Sequence, residues 1–428
     1  MDERICGILE KEFKMTMGCT DPGAVAYAAS KAASLLDGEL ISIDVVLSKN
    51  IYKNAVYVGI PVIKKAGIEY AALLGTMVRR PELKLAVLSE VTGDMVEGLD
   101  EYAERIPVTV KCSDIDEPLY ISVTCKSELS IVTVAIKGDY DWICSIEKNG
   151  KLLHLKECSG KEAANFFGDL GFKDLYSLAV NEENDDSCLL EFEKINREAA
   201  FKVISIELQQ YLDRLENGDK FTINGIAGMA RMYVLSASRL RMSGERVPVV
   251  SLAGSGNHGI LTLLAVSAVS DALGVERTER MRALYLAALT AIYIKSHMNR
   301  LTVMCGTAVA GAAGAAAATS FLLGGGCSEA EHAVNTVLGT IGGILCDGAK
   351  ESCAFKVGTA AECAVTSGYM AVKHIGIKPG SGIITDNIDN NIQNMGYINN
   401  QGMKEADNIM LEILGSQKRN GNKIKNRR

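Results

Sequence analysis

From Leu301 to Ser328 the chain carries no charged residue: LTVMCGTAVAGAAGAAAATSFLLGGGCS. A run this uncharged is hidden from water on every side, which leaves a membrane span or the middle of a helical body. Its Ala and Gly content makes it weakly hydrophobic, and Gly324-Gly325-Gly326 would end a helix. The reading adopted is a helix buried on all sides in a helical domain, with no membrane partner.

The chain has 428 residues, long enough for two or three domains, with 48% apolar and 23% charged residues as in ordinary globular proteins. Its net charge of −7 excludes nucleic acid as a natural partner. Basic residues concentrate only in Ser416–Arg428, expected as a disordered tail. The start, MDERICGILEKEFK, has charges where a signal peptide needs an apolar core. Twelve cysteines without regular spacing read as reduced thiols in a cytoplasmic protein.

Glu3–Met15 has helical periodicity. After Gly18-Cys19-Thr20-Asp21-Pro22 a second helix is expected, with Thr20 or Asp21 as cap and Pro22 in its first turn. Cys19 then stands at a helix N-terminus, where free N–H groups and the dipole favour thiolate. Packing or a capping loop is the competing explanation. LISIDVVLS reads as a strand followed by a polar loop, Ser48–Asn54. Helical patterns come at Ile68–Leu74 and Glu82–Gly93. Five short strands follow between Ile106 and Lys156, the last two joined at Asn149-Gly150. Cys112, Cys125, Cys144, Cys158 and His154 fall in or beside them and read as structural. Gly160–Val180 is expected helical, the acidic loop Asn181–Asp186 marks a domain boundary, and from there to about His374 the chain reads as helices. The fold class is therefore α+β: an α/β part over 1–185, a helical part over 186–415, and the basic tail 416–428.

Two groupings carry chemistry. Cys305 follows Arg300 and opens the Gly/Ala run, while Cys346 and Cys353 bracket Asp347-Gly348-Ala349-Lys350. On an unbroken helix those two thiols share a face about 10 Å apart, and Gly348 offers a bend that brings them closer. Three thiolates in small-residue surroundings suit an iron–sulfur cluster; ordinary buried thiols are the competing reading. Arg300, Lys350 and Lys356 stand near enough in sequence to neutralise cluster or substrate charge, or to be ordinary surface cations. The second grouping is Ala253-Gly254-Ser255-Gly256-Asn257-His258-Gly259, a Gly-rich turn opening a helix, which suits an anion. A plain tight turn explains it equally well. Similar loops hold the carboxylate in pyridoxal-phosphate dehydratases, but the Schiff-base lysine motif of those enzymes is absent here. His258, His297 and His332 read as structural before they read as ligands or bases.

Taken together, G-C-T-D-P (18–22), Y-K-N-A (52–55), V-G-I-P (58–61), G-S-G-N-H-G (254–259), N-R-L-T-V-M-C-G (299–306) and I-L-C-D-G-A-K-E-S-C-A-F-K-V-G (344–358) resemble the L-cysteine desulfidase family. The C-terminal domain of that family is similar to the alpha chain of iron–sulfur L-serine dehydratases. The resemblance implies a [4Fe–4S] cluster on Cys305, Cys346 and Cys353, a catalytic Cys19, and substrate contacts from Asn54, Ser255, Gly256 and Asn257. Asp21 replaces a Glu of the first motif and keeps its carboxylate. Related serine dehydratases cap the fourth iron with a C-terminal cysteine; no cysteine follows Cys363 here. The implied activity is a pyridoxal-phosphate-independent carbon–sulfur lyase acting on L-cysteine, giving pyruvate, ammonia and hydrogen sulfide. An iron–sulfur L-serine dehydratase and a non-catalytic iron–sulfur redox sensor are the alternatives, and a homo-oligomer is left open.

Overall fold

The computed structural model describes residues 3–63, 65–115, 117–156, 166–168, 170–181, 188–216 and 225–425, with side chains from residue 7 onward apart from 181, 203–216 and 416–425. Cys158, residues 160–165 and 169 of the expected helix, and the acidic loop beyond Asn181 lie outside the described residues.

The α/β part is a six-stranded sheet in the order β3–β2–β4–β5–β6–β7: β2 (Ser42–Ser48), β3 (Val108–Ser113), β4 (Tyr120–Lys126), β5 (Ile131–Lys137), β6 (Ile143–Lys148) and β7 (Lys151–Leu155). Only β2 and β3 run parallel; β4 pairs antiparallel with β2, and the consecutive strands β4 to β7 pair antiparallel as short-loop neighbours must. Alternation decides which face is buried. Ile43, Val45 and Leu47 of β2 and Ile121, Val123 and Cys125 of β4 point inward, onto the helices Thr20–Leu35 and Ile68–Val78. All five expected strands form, and the expected hairpin turns at Asn149-Gly150.

The second core is helical and rich in alanine, which lets helix axes approach closely. The helix Ala312–Leu322 lies at its centre against Arg277–Ser296, Cys327–Ile341 and Ser352–Val372. Every residue of it except Phe321 is buried. The uncharged run is thus buried as expected, but it is not one helix. Leu301–Gly306 is irregular, a π-turn spans Thr307–Gly311, and the α-helix begins only at Ala312. Among the described residues no helix is long and apolar enough to cross a membrane.

Four readings need correction. The end of the first helical pattern is a strand, β1 (Phe13–Met17), paired antiparallel with β8 (Pro248–Leu252). Ile8, Leu9 and Phe13, like Phe167, Phe172 and Leu175, therefore pack in the helical core. The expected polar loop after β2 is a short helix, Lys49–Ala55, and turns Asn54 inward. Glu82–Gly93 is mostly a 3₁₀ segment, Pro81–Glu90, kinked at Lys84. The last helix runs Lys404–Lys425, so backbone expected as a disordered tail continues a helix already begun, where each added residue gains a hydrogen bond.

Candidate active site

The core of the site is the junction of β1, β8 and the helices that follow them. Gly18 ends β1 with φ +68°, and Cys19 is the extended N-cap of Thr20–Leu35. Its thiol donates to Asp21 Oδ2 at 3.5 Å. Asp21 Oδ1 accepts from Asn54 Nδ2 (3.2 Å) and from Tyr140 Oη (3.0 Å). Asn54 Oδ1 is buried without a hydrogen-bond partner, an acceptor left available to a ligand.

The dipole expectation for Cys19 fails. Burial pushes the thiol up to about 12, Asp21 adds to the rise, and Arg241 opposes it. A helix terminus is worth at most about 2 kcal/mol, whereas full burial shifts an acid by up to about 3–5 units, roughly 4–7 kcal/mol. Burial also pushes Asp21 up, against the hydrogen bonds of Asn54, Tyr140 and Cys19. Burial thus disfavours charge on both members of this hydrogen-bonded pair, with the thiol as donor and the carboxyl as acceptor.

Across the junction, Leu252 and Ser255 exchange backbone hydrogen bonds (3.1 and 3.0 Å) around Ala253 and Gly254. Both central residues have positive φ (+48° and +84°), the two-residue turn that glycine eases. Ser255 is the N-cap of Gly256–Leu273 but its side chain caps nothing; Gly254, Ser255, Asn257 and His258 line the same cavity as Cys19, while Gly256 backs onto Arg241, where a Cβ would lie 2.4 Å from Nε. Arg241 ties the two halves: Nε donates to Gly18 O (3.0 Å), Nη1 to Asn257 Oδ1 (3.0 Å) and Nη2 to Thr20 Oγ1 (3.5 Å).

Cys305, Cys346 and Cys353 line that cavity too. The segments carrying Cys305 and Cys346 lie side by side, with Cys305 N donating to Ile344 O and Cys346 N to Val303 O, both at 2.7 Å. Cys346 is not on a helix with Cys353, which corrects the seven-residue spacing argument. Gly348, at φ +96°, turns the chain, and a Cβ there would lie 2.2 Å from Lys53 O. Cys353 stands at the start of Ser352–Val372, its thiol accepting from Lys350 N (3.4 Å) and donating to Gly348 O (3.2 Å).

Burial and the neighbouring Cys346 push Cys305 up to about 12, and the same two causes raise Cys353. Cys305, Cys346 and Cys353 on one cavity wall are a site for a cationic, thiophilic group. No three His, Cys, Asp or Glu side chains among the described residues converge tightly enough for a single metal ion. An all-sulfur donor set on one cavity, with Gly306, Gly348 and Ala349 beside the thiols, fits a multi-iron cluster.

The three cations named from sequence are engaged locally. Arg300 donates to Glu12 Oε2 (2.6 Å) and Asp139 Oδ1 (3.1 Å), although it lines the cavity. Lys350 donates to Asp347 O, while Lys356 pairs with the Asp347 carboxylate and donates to Leu345 O (3.0 Å). Both lysines therefore brace the turn between Cys346 and Cys353. Sequence reasoning missed Tyr140, Arg241 and Lys295. Lys295 is buried at the cavity with Nζ on Asn299 O (2.7 Å), and burial, then Arg300, pushes it down to about 7. His258 is also in the wall, kept neutral by burial, with both ring nitrogens unpartnered. His297 bonds Tyr293 O (3.0 Å) and His332 lies elsewhere; Cys327 and Cys363 also lie away from the cavity.

Residues 173–412 match the family model described as serine dehydratase alpha chain, a span that includes Cys305, Cys346, Cys353 and the 253–257 turn. Cys19, Asp21 and Asn54 lie outside it. Over nearly the whole length, the chain is 34% identical to a UPF0597 protein of Methanocella arvoryzae (97% of this chain, 99% of the relative). It is 34% identical to one of Bacteroides fragilis (96% and 97%) and 32% identical to one of Clostridium perfringens (98% and 100%). By the extent of both matches, the chain belongs to the serine dehydratase alpha chain family and to the UPF0597 proteins.

Proposed function

We propose that this chain is an iron–sulfur L-cysteine desulfidase: L-cysteine and water give pyruvate, ammonia and hydrogen sulfide. The observation that carries the reading is one cavity lined by Cys19, Asn54, Ser255, Asn257 and Cys305, Cys346 and Cys353 together. Cys305, Cys346 and Cys353 would hold a [4Fe–4S] cluster, which would supply a Lewis acid for the substrate's sulfur.

The rest is done by side chains. First-turn amides of Gly256–Leu273 take the carboxylate, together with Ser255 and with Asn257, whose Oδ1 is held by Arg241. Asn54 Oδ1 accepts from the substrate ammonium. Cys19 passes its proton to Asp21 Oδ2 and, as thiolate, removes the α-hydrogen. The C–H electron pair becomes the Cα–Cβ double bond as the Cβ–S bond breaks, and sulfur leaves with its pair. The resulting aminoacrylate takes up water and releases pyruvate and ammonia. Burial of the Cys19–Asp21 pair keeps bulk water from competing for the proton.

Anaerobically prepared protein is expected to be brown and oxygen-labile with about four irons per chain. Cys305→Ser, Cys346→Ser and Cys353→Ser should each strip or degrade the cluster, while Cys327→Ser and Cys363→Ser should not. An iron-free chain with full activity, or a pyridoxal absorbance band, would falsify the reading.

The family match favours a second reading, an L-serine dehydratase using the same residues. The substrates differ at one atom, so carboxylate and amine contacts are shared, and choice rests on sulfur against oxygen. A soft iron position selects thiolate. We expect at least about 100-fold higher kcat/KM for cysteine, equivalent to about 2.7 kcal/mol. Pyruvate release from each amino acid, measured anaerobically, decides it; equal or faster turnover of serine selects the dehydratase. Iron binding without pyruvate from either would leave the redox-sensor alternative.

A further inference from the structure

The stretch Val303–Cys305 is held on two sides. One side pairs with Ile344–Cys346, as described. On the other, Val303 N and Met304 N both donate to a single atom, Asn399 Oδ1, at 3.1 and 3.0 Å. Asn399 is only 3% exposed, and its Nδ2 donates to Asn400 Oδ1 at 2.9 Å. Asn400 in turn accepts from Asn299 N (3.2 Å) and donates to His297 O (3.1 Å). Two adjacent carboxamides therefore satisfy four backbone groups of 297–304, a segment with no regular structure of its own beyond Ser296.

Both asparagines come from the π-turn Ile398–Gly402. Such turns are rare and gather at functional sites. Here the turn aims consecutive amides at the segment that ends in Cys305. Losing Asn399 Oδ1 would leave two buried N–H groups unpaired, a cost that the irregular stretch can relieve only by moving.

We propose that Asn399 is a positioning residue for Cys305: its carboxamide holds Val303 and Met304 so that Cys305 keeps its register beside Cys346. The proposal rests on reading the three cysteines as cluster ligands. Residues supporting a metal ligand typically govern about 10–100-fold in metal affinity.

The test compares the full-length wild-type chain with Asn399→Leu, Asn399→Asp and Asn399→Gln. Asp keeps an acceptor where Oδ1 stands; Gln keeps the amide but moves it by one methylene, and serves if the Leu variant does not fold. Two quantities are read. One is amide exchange over 302–305 in iron-free protein. The other is the rate at which reconstituted protein loses iron to a chelator, well below its unfolding temperature. Leu and Gln should accelerate both by about tenfold or more, and Asp should restore both. Unchanged exchange over 302–305 in the Leu or Gln variant overturns the positioning role. Accelerated exchange with unaltered iron retention overturns its link to Cys305. A wild-type chain that takes up no iron overturns the ligand reading and this link together, which the exchange measurement distinguishes from failure of the positioning role alone.

Discussion

Cys19→Ser is expected to lower exchange of the substrate's α-proton at least about a thousandfold, within the range a positioned general base supplies, with iron content unchanged. A serine hydroxyl in the same place is too weak an acid to be deprotonated by Asp21, so no base forms. On the proposed mechanism the thiol is the stronger acid of the two, and it has an acceptor in place: Asp21 is itself raised by burial and sits 3.5 Å from the sulfur. Asp21→Asn should therefore also suppress exchange while substrate binding survives through the 253–257 turn. Deuterium incorporation at Cα, followed by mass spectrometry, measures both variants. If Cys19→Ser loses its iron, the residue is a ligand; if it keeps substantial exchange, another group is the base.

How much of this was legible in the sequence follows from where each part comes from. The sheet was legible because alternation is local: Ile121, Val123 and Cys125 face inward by a period of two. The strand Phe13–Met17 was not, because its partner Pro248–Leu252 lies more than two hundred residues away, and five residues at the end of a helical pattern carry no contrary signal. The cysteines and the Gly-Ser-Gly-Asn turn stood out as unusual residue types in unusual company. Arg241 did not, since an arginine in the last turn of a helix is the ordinary complement to its dipole. Only the tertiary contact to Gly18 O and Asn257 gives it a different meaning. The charge of Cys19 was misjudged for a related reason. Sequence shows the helix start but not the depth at which it is buried.

The same depth governs the second large effect, at Lys53. Its side chain is 2% exposed and its ammonium meets Asp407 at 2.5 Å, with the Asp407 side chain 14% exposed. The pair joins the final helix to Lys49–Ala55, where Asn54 follows Lys53 and the Lys53 carbonyl packs against Gly348 between Cys346 and Cys353. Asp407→Ala leaves a buried ammonium without its carboxylate, which should cost about 3–5 kcal/mol of stability. Replacing both partners by apolar residues of similar volume, Lys53→Met with Asp407→Leu, removes the desolvation penalty along with the attraction and should recover most of that loss. Urea unfolding separates the cases: the single variant lowers the midpoint at constant slope, and the double variant returns it towards the wild-type value. A single variant losing less than about 1 kcal/mol would mean that Lys53 reaches water or another acceptor, behaving as an exposed pair does. The link from the final helix to Asn54 would then carry little energy. Asn54 would owe its place to its hydrogen bond with Asp21 instead.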